Sequence, residues 1–211
     1  MAIRLAPEPV WAGEPVGDMR SNGFWREQFR LYRLWIFERR RAEIATAAEP
    51  LPSGITLRLL DRHARRDWAC QRTAAADWPQ YRIALENDHD LILAERGGET
   101  VGWAWIGYRR VFLAPIGRSI RLQDGTGYLY DVFVRPAERG HGIGRALVGA
   151  RVAHAEAGGI TRLVSHVRLG NVASRRALER HGFAVIGQTA FLRLLAFRLW
   201  TRTPLPTSRA A

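Results

Sequence analysis

The chain has 211 residues, of which 47% are hydrophobic and 10% aromatic, ample for a packed core and too apolar for wholesale disorder. Its single cysteine, Cys70, excludes an intrachain disulfide framework and a thiol zinc cluster; no stretch approaches the roughly 18 apolar residues of a membrane span, so a cytoplasmic location is expected. A formal charge of +12 attracts anions, and nucleic acid, an anionic membrane, an acidic protein or a polyphosphate ligand all fit that sign.

Residues 1–19 are rich in Pro and Gly and predict an irregular arm. Over 20–48, Trp25, Phe29, Tyr32 and Ile36 recur at steps of four, three and four. Phe24, Leu31 and Trp35 widen that face, and Arg26, Arg30, Arg33 and Arg41 lie opposite. The spacing predicts an amphipathic helix, although Leu34 and Phe37 point among the arginines. Its apolar face is expected to pack on the rest of the fold or on a homodimer partner, ahead of a membrane surface. Pro50 and the LPSG turn close this segment. Residues 1–53 thus read as an N-terminal arm and helix, 54–201 as the main domain and 202–211 as a flexible tail.

Within the main domain, 55–60 suit a strand and 63–85 a helix broken near Pro79. The Gly97-Gly98 pair marks a hairpin between strands at 91–94 and 101–108. Residues 112–127 add a strand and a loop without a clear pattern. A strand at 128–134 ends at Pro136, and a helix at 143–157 ends at Gly158 and Gly159. A strand at 162–167, a helix at 171–181 and strands at 183–186 and 191–200 complete the order. Strands that alternate with helices only in the second half predict an α/β layer fold with a mixed sheet.

The segment Arg139-Gly140-His141-Gly142-Ile143-Gly144-Arg145 stands between a strand and a helix. Its glycines admit a ligand where a Cβ would collide, and the first amides of the helix lack intrahelical partners. With the positive end of the helix dipole they make an anion site. A Walker loop would need Lys then Ser or Thr where Arg145-Ala146 stand, and the glycine spacing is not GxGxxG.

The run from Val134 to Arg145 resembles the acetyl-CoA motif of the GNAT superfamily of N-acetyltransferases. A second block, from Asn171 to Gly182-Phe183, is similar to the superfamily's downstream helix-and-turn motif. The resemblance covers roughly 54–201 and implies a GNAT-like central sheet flanked by helices, with the N-terminal helix as an addition. It further implies acetyl-CoA as cosubstrate and an amine-bearing small molecule or peptide as acceptor. Backbone groups of Val132, Phe133 and Val134 would hold the pantetheine arm. Amides of Gly140, His141, Gly142, Ile143, Gly144 and Arg145 would bind the pyrophosphate, with the charges of Arg139 and Arg145 flanking it and the His141 side chain incidental, and Asn171 would reach the pantetheine from the last helix. The strands at 128–134 and 162–167 would splay around the thioester.

Aminolysis of a thioester needs a neutral amine, a polarised carbonyl and a fate for the thiolate. The Tyr that many relatives carry seven positions after the motif Asn is here Leu178. His166, five positions before Asn171, is the first candidate base, since an imidazole titrates near neutrality. Asp131 on the other splayed strand is its rival. Strand alternation would put Tyr130 and Asp131 on opposite faces. The remaining histidines lack metal-ligand spacing, and no metal is expected. A CoA-binding domain without catalysis, motivated by Leu178, and a nucleic-acid-associated protein, motivated by charge alone, are the rival readings; no nucleic-acid-binding motif accompanies the arginines.

Overall fold

The computed structural model describes residues 29–41, 50–72, 78–113, 117–194 and 197–204. Among the described residues ten strands and four helices follow one another as β1 (Phe29–Arg40), β2 (Ile55–Leu59), α1 (Arg62–Arg72), α2 (Trp78–Glu86), β3 (Asp90–Arg96), β4 (Glu99–Gly107), β5 (Arg110–Leu113), β6 (Arg118–Arg121), β7 (Thr126–Val134), α3 (Ile143–Ala157), β8 (Arg162–Arg168), α4 (Val172–Arg180), β9 (Ala184–Leu194) and β10 (Phe197–Pro204). Eight strands form one sheet in the order β10-β9-β1-β8-β7-β4-β3-β2, and β5 and β6 form a separate hairpin. Every pairing in the large sheet is antiparallel except β7 with β8.

The two faces of the sheet are covered by different helix pairs. Ile143, Leu147, Val148 and Val152 of α3, with Ala177 and Leu178 of α4, pack on Phe37, Ala104, Leu129 and Leu163. On the other face Trp68 of α1 and Tyr81 of α2 pack on Ile36, Leu93, Trp105, Tyr130 and Val164. Trp68 meets Tyr81, Trp103 and Trp105 edge-on at centroid distances of 5.2–6.0 Å, an arrangement that adds to simple burial.

The helix expected over 20–48 is corrected wherever that segment is described. Phe29–Arg40 is a strand, inserted between β8 and β9 and antiparallel to both. An interior strand is covered on both faces, so it reads as a near-continuous apolar run, and such a run satisfies helical spacing as well as strand spacing. Ile36 of the expected apolar face is buried inside the sheet, and so are Leu34 and Phe37, which the helical spacing put among the arginines. Residues 20–28 and 42–48 lie outside the described residues. Arg39, 5% exposed, ties the strand to the helical layer. It bonds Glu156 of α3 through Nη2 at 2.8 Å and the carbonyl of His181 through Nη1 at 2.8 Å. Gly182 is needed beside it, because its φ is +77° and an added Cβ would lie 2.7 Å from Arg39 Nη1.

The expected hairpin at Gly97-Gly98 is present; α1 ends at Arg72 and α2, with Pro79 in its first turn, begins at Trp78, while 73–77 lie outside the described residues. The segment without a clear pattern contains the β5–β6 hairpin. The two closing strands pair as one long hairpin that runs to Pro204, three residues into the expected tail; 205–211 lie outside the described residues.

Candidate functional site

At its carboxyl end β7 passes through a 3-10 turn at Pro136–Glu138 and then the glycine loop into α3. Arg139 Nε donates to Val134 O at 3.1 Å and closes the loop on the strand. Gly140 and Gly142 both have φ of +85°, a left-handed conformation that strains any residue with a Cβ. Gly142 is the N-cap of α3 and accepts from Ala146 N at 3.0 Å. A Cβ on Gly140 would meet nothing within 4 Å, and one on Gly144 only Val134 Cγ2 at 3.9 Å. The space over the loop is therefore clear of protein at both positions. Pro52 walls one side, 3.6 Å from the Cβ position of Gly142. Arg96 holds that wall in place by bonding Ser53 O and Glu138 at 3.1 Å each. A diphosphate fits this cradle: the first-turn amides of α3 lack intrahelical acceptors, the helix dipole favours an anion, and Arg139, Arg145 and His141 flank the loop. Ile143 is buried under it. Asn171 caps α4, its Oδ1 accepting from Ser174 N at 3.1 Å.

Beside the cradle the sheet opens. β7 and β8 are in register from Thr126–Arg162 to Leu129–Ser165 and no further, so residues 130–134 and 166–168 diverge. Across the other edge of β7 the register with β4 shifts: Trp103 faces Phe133 and Trp105 faces Tyr130, leaving Asp131 and Val132 together opposite Ala104. This bulge adds a residue and turns the strand, with Asp131 at a φ of +47°. Its consequence corrects the expected alternation. Asp131 Oδ2 accepts from Tyr81 OH at 3.1 Å, and Tyr81 belongs to α2, the layer that also covers Tyr130. Val132 is 42% exposed, and Phe133 stacks on Trp103 at 4.2 Å, so an apolar wall follows the bulge.

Two tyrosine–histidine pairs lie on the α1/α2 face of the opening. His89 Nε2 faces the carbonyls of Arg110 at 2.8 Å and Tyr108 at 3.1 Å, and Nδ1 meets Tyr130 OH at 2.7 Å. Two carbonyl acceptors require the proton on Nε2, so Nδ1 accepts from Tyr130. Burial holds this ring neutral by lowering its pKa to about 4. The second pair joins Tyr128 OH to His166 Nδ1 at 2.5 Å. Burial raises the Tyr128 phenol above its ordinary range, while burial and then the Arg168 charge lower His166 to about 4. The phenol keeps its proton, and the ring can take either role in this bond: with its proton on Nε2 it accepts from Tyr128, and with its proton on Nδ1 it donates to the phenol oxygen.

The residues picked out in the sequence lie along β7, its loop and the end of β8, with Asn171 at the cap of α4. The cradle 139–145 follows β7, Val132 to Val134 edge the opening, and Asp131 and His166 stand just beyond the last paired residues. Leu178 is 2% exposed within the core under α3 and α4 and supplies no proton donor. Tyr81, Arg151 and His89, which the sequence marks only as lacking metal-ligand spacing, also border the opening. Of these only Arg151 left a signal: it stands on the apolar stripe Ile143, Leu147, Arg151, Ala155 at steps of four. It is 1% exposed, and burial lowers its pKa to about 9.

Residues 57–183 match the family described as Acetyltransferase (GNAT) family. A mycothiol acetyltransferase from Streptomyces avermitilis is 31% identical over 152 residues, 65% of this chain and 46% of that protein. Another from Thermobispora bispora is 30% identical over 191 residues, 82% of this chain and 61% of that protein. The chain therefore spans about half the length of the curated relatives it matches. A solved GCN5-related N-acetyltransferase from Sphaerobacter thermophilus superposes with a TM-score of 0.54 at 18% identity, over 88% of this chain and 57% of that one; at that identity the likeness is one of fold.

Proposed function

The chain belongs to the GNAT acetyltransferase family, and from the geometry of its site we propose that it transfers an acetyl group from acetyl-CoA to a primary amine. The observation that supports this most is the adjacency of an anion cradle, clear of protein over Gly140 and Gly144, to a parallel strand pair that opens one residue later in β7 than Leu129. The cosubstrate supplies the acyl group as a thioester, whose thiolate is a tolerable leaving group near neutral pH. Amides of the first turn of α3, with Arg139 and Arg145, hold the diphosphate. Val132 and Val134 offer main-chain groups to the pantetheine arm, and the Trp103–Phe133 stack shields it.

Asp131 and His166 face the reacting centre with different capacities. Asp131, steadied by Tyr81, offers a carboxylate oxygen that attracts the acceptor's ammonium; the amine loses one proton to solvent before it attacks, and Asp131 receives the second as the C–N bond forms and the C–S bond breaks to release CoA thiolate. His166 is held by Tyr128; in the tautomer that accepts from the phenol its Nε2–H is a donor, and in the other its Nε2 lone pair could serve as base. A carboxylate can only accept, so we take Asp131 as the proton acceptor and His166 as the donor, with a base role for His166 as the outcome to exclude.

The relatives' name makes the amine acceptor of mycothiol acetylation the first candidate substrate. Release of CoA thiol from acetyl-CoA in the presence of that amine and a panel of polyamines, aminoglycosides and peptide N-termini tests the reading. Acceptor-dependent release with an acetylated product supports it. Tight CoA binding without transfer to any acceptor would leave a binding domain instead.

A further inference from the structure

Arg151 is a costly way to fill a core. A buried guanidinium loses hydration that an apolar side chain of similar volume does not have to surrender, yet it occupies a position of α3 between Leu147 and Ala155, both buried. All three of its hydrogen bonds end on main-chain carbonyls. Nε donates to Leu147 O at 3.1 Å, and Nη1 donates to both Trp105 O and Tyr130 O at 3.3 Å. Trp105 and Tyr130 are the paired residues that border the bulge on one side, immediately before Asp131. The guanidinium thus sits beneath the point where β7 leaves regular pairing with β4 and, one residue past Leu129, leaves β8 as well.

We infer that Arg151 is a positioning residue that fixes the bulge and polarises its backbone toward the thioester carbonyl. The inference rests on the acetyl-transfer reading above. A cation donating to the carbonyl of Tyr130 draws charge along the 130–131 peptide, so the N–H of the same peptide becomes a stronger donor; hydrogen bonds in series reinforce one another in a low dielectric. The fixed charge also lies next to the opening where negative charge develops on the carbonyl oxygen during acyl transfer. A preorganised charge there favours the transition state over the ground state. Arg151 touches neither substrate; it acts through the main chain of Tyr130 and Asp131. A role confined to packing would need neither a charge nor two converging donors at the bulge.

Three variants separate charge, donors and volume: R151K keeps a charge, R151Q keeps donors without it, and R151M keeps only bulk. Each is measured for folding by thermal melting, for acetyl-CoA affinity by calorimetry, and for carbonyl polarisation by the infrared band of acetyl-CoA labelled with 13C at the thioester carbonyl. We expect acetyl-CoA affinity within about threefold of wild type in folded variants. The bound carbonyl band should return toward its free position in R151Q and R151M and stay near wild type in R151K. Turnover should fall by about tenfold to a hundredfold in kcat for R151Q and R151M, with KM for acetyl-CoA little changed. A folded R151Q or R151M with a wild-type band and kcat overturns the inference and leaves the acetyl-transfer reading intact. Should R151M fail to fold, R151Q carries the same decision. Failure of the wild type itself to bind acetyl-CoA overturns both.

Discussion

Gly144 lies within the first turn of α3, and its backbone is helical, so alanine there adds a methyl group without backbone strain. That methyl meets only Val134 Cγ2, at 3.9 Å, an ordinary van der Waals contact. In the free protein Gly144→Ala should therefore be neutral or stabilising, by up to about 1 kcal/mol from helix propensity, which for a chain of this size raises Tm by up to about 4 °C. The same methyl projects into the space assigned to the diphosphate. Displacing a phosphate oxygen from one amide forfeits a charge-assisted hydrogen bond worth about 1.5–3 kcal/mol, which weakens CoA binding by about tenfold to a hundredfold. Calorimetric titration of CoA beside a thermal melt reads both quantities. Unchanged Tm with CoA affinity within twofold of wild type would refute the placement of the diphosphate over Gly144.

Gly142→Ala should behave differently: a φ of +85° and a Cβ 3.2 Å from Arg145 Nη2 should cost about 1–2 kcal/mol of stability along with binding, seen as a lower Tm even without ligand. Arg39→Ala strips Glu156 and the His181 carbonyl of their donors and should cost about 3–5 kcal/mol in urea unfolding; a loss below 1 kcal/mol would show that β1 is not held through this side chain. His89 and His166 both have pKa values lowered to about 4, so the unfolded chain binds more protons than the folded one between pH 6.5 and 4. Stability should be full above pH 6.5 and fall as pH drops toward 4. His89→Asn should shrink that fall, and an identical acid dependence would contradict a neutral, buried His89. Asp131→Asn should lower kcat by about a hundredfold or more with acetyl-CoA affinity retained, whereas His166→Gln, which keeps a donor, should retain most activity; the reverse ranking in a pH–rate series would assign the base to His166.

What could be read from the residues alone followed how local the determining physics is. The cradle was legible because a strand, closely spaced glycines and a helix start are contiguous in the chain. The β3–β4 hairpin, α3 and α4 carried their own turn and cap signals, Gly97-Gly98, Gly158-Gly159 and Asn171. β1 was misread because its neighbours, β8 and β9, lie more than a hundred residues away, and only their presence on both sides explains why Ile36 and Phe37 are both buried. The bulge has no glycine to announce it; Asp131 takes a positive φ under tertiary constraint, and this carried its carboxylate to Tyr81 against simple alternation. The tyrosine–histidine pairs likewise join residues 38 and 41 positions apart. His166 was found by its spacing from Asn171, but its hydrogen bond to Tyr128 and the burial that lowers its pKa come from the fold.

The central claim is acetyl transfer at the opening between β7 and β8, and the most direct measurement is acceptor-dependent release of CoA from acetyl-CoA, with the product identified by mass. The account predicts release coupled to an acceptor heavier by one acetyl group, abolished together with CoA binding in a Gly142,Gly144 double valine variant that remains folded. Binding of acetyl-CoA with no acetylated product from any amine in the panel, or full transfer by the double variant, would contradict it.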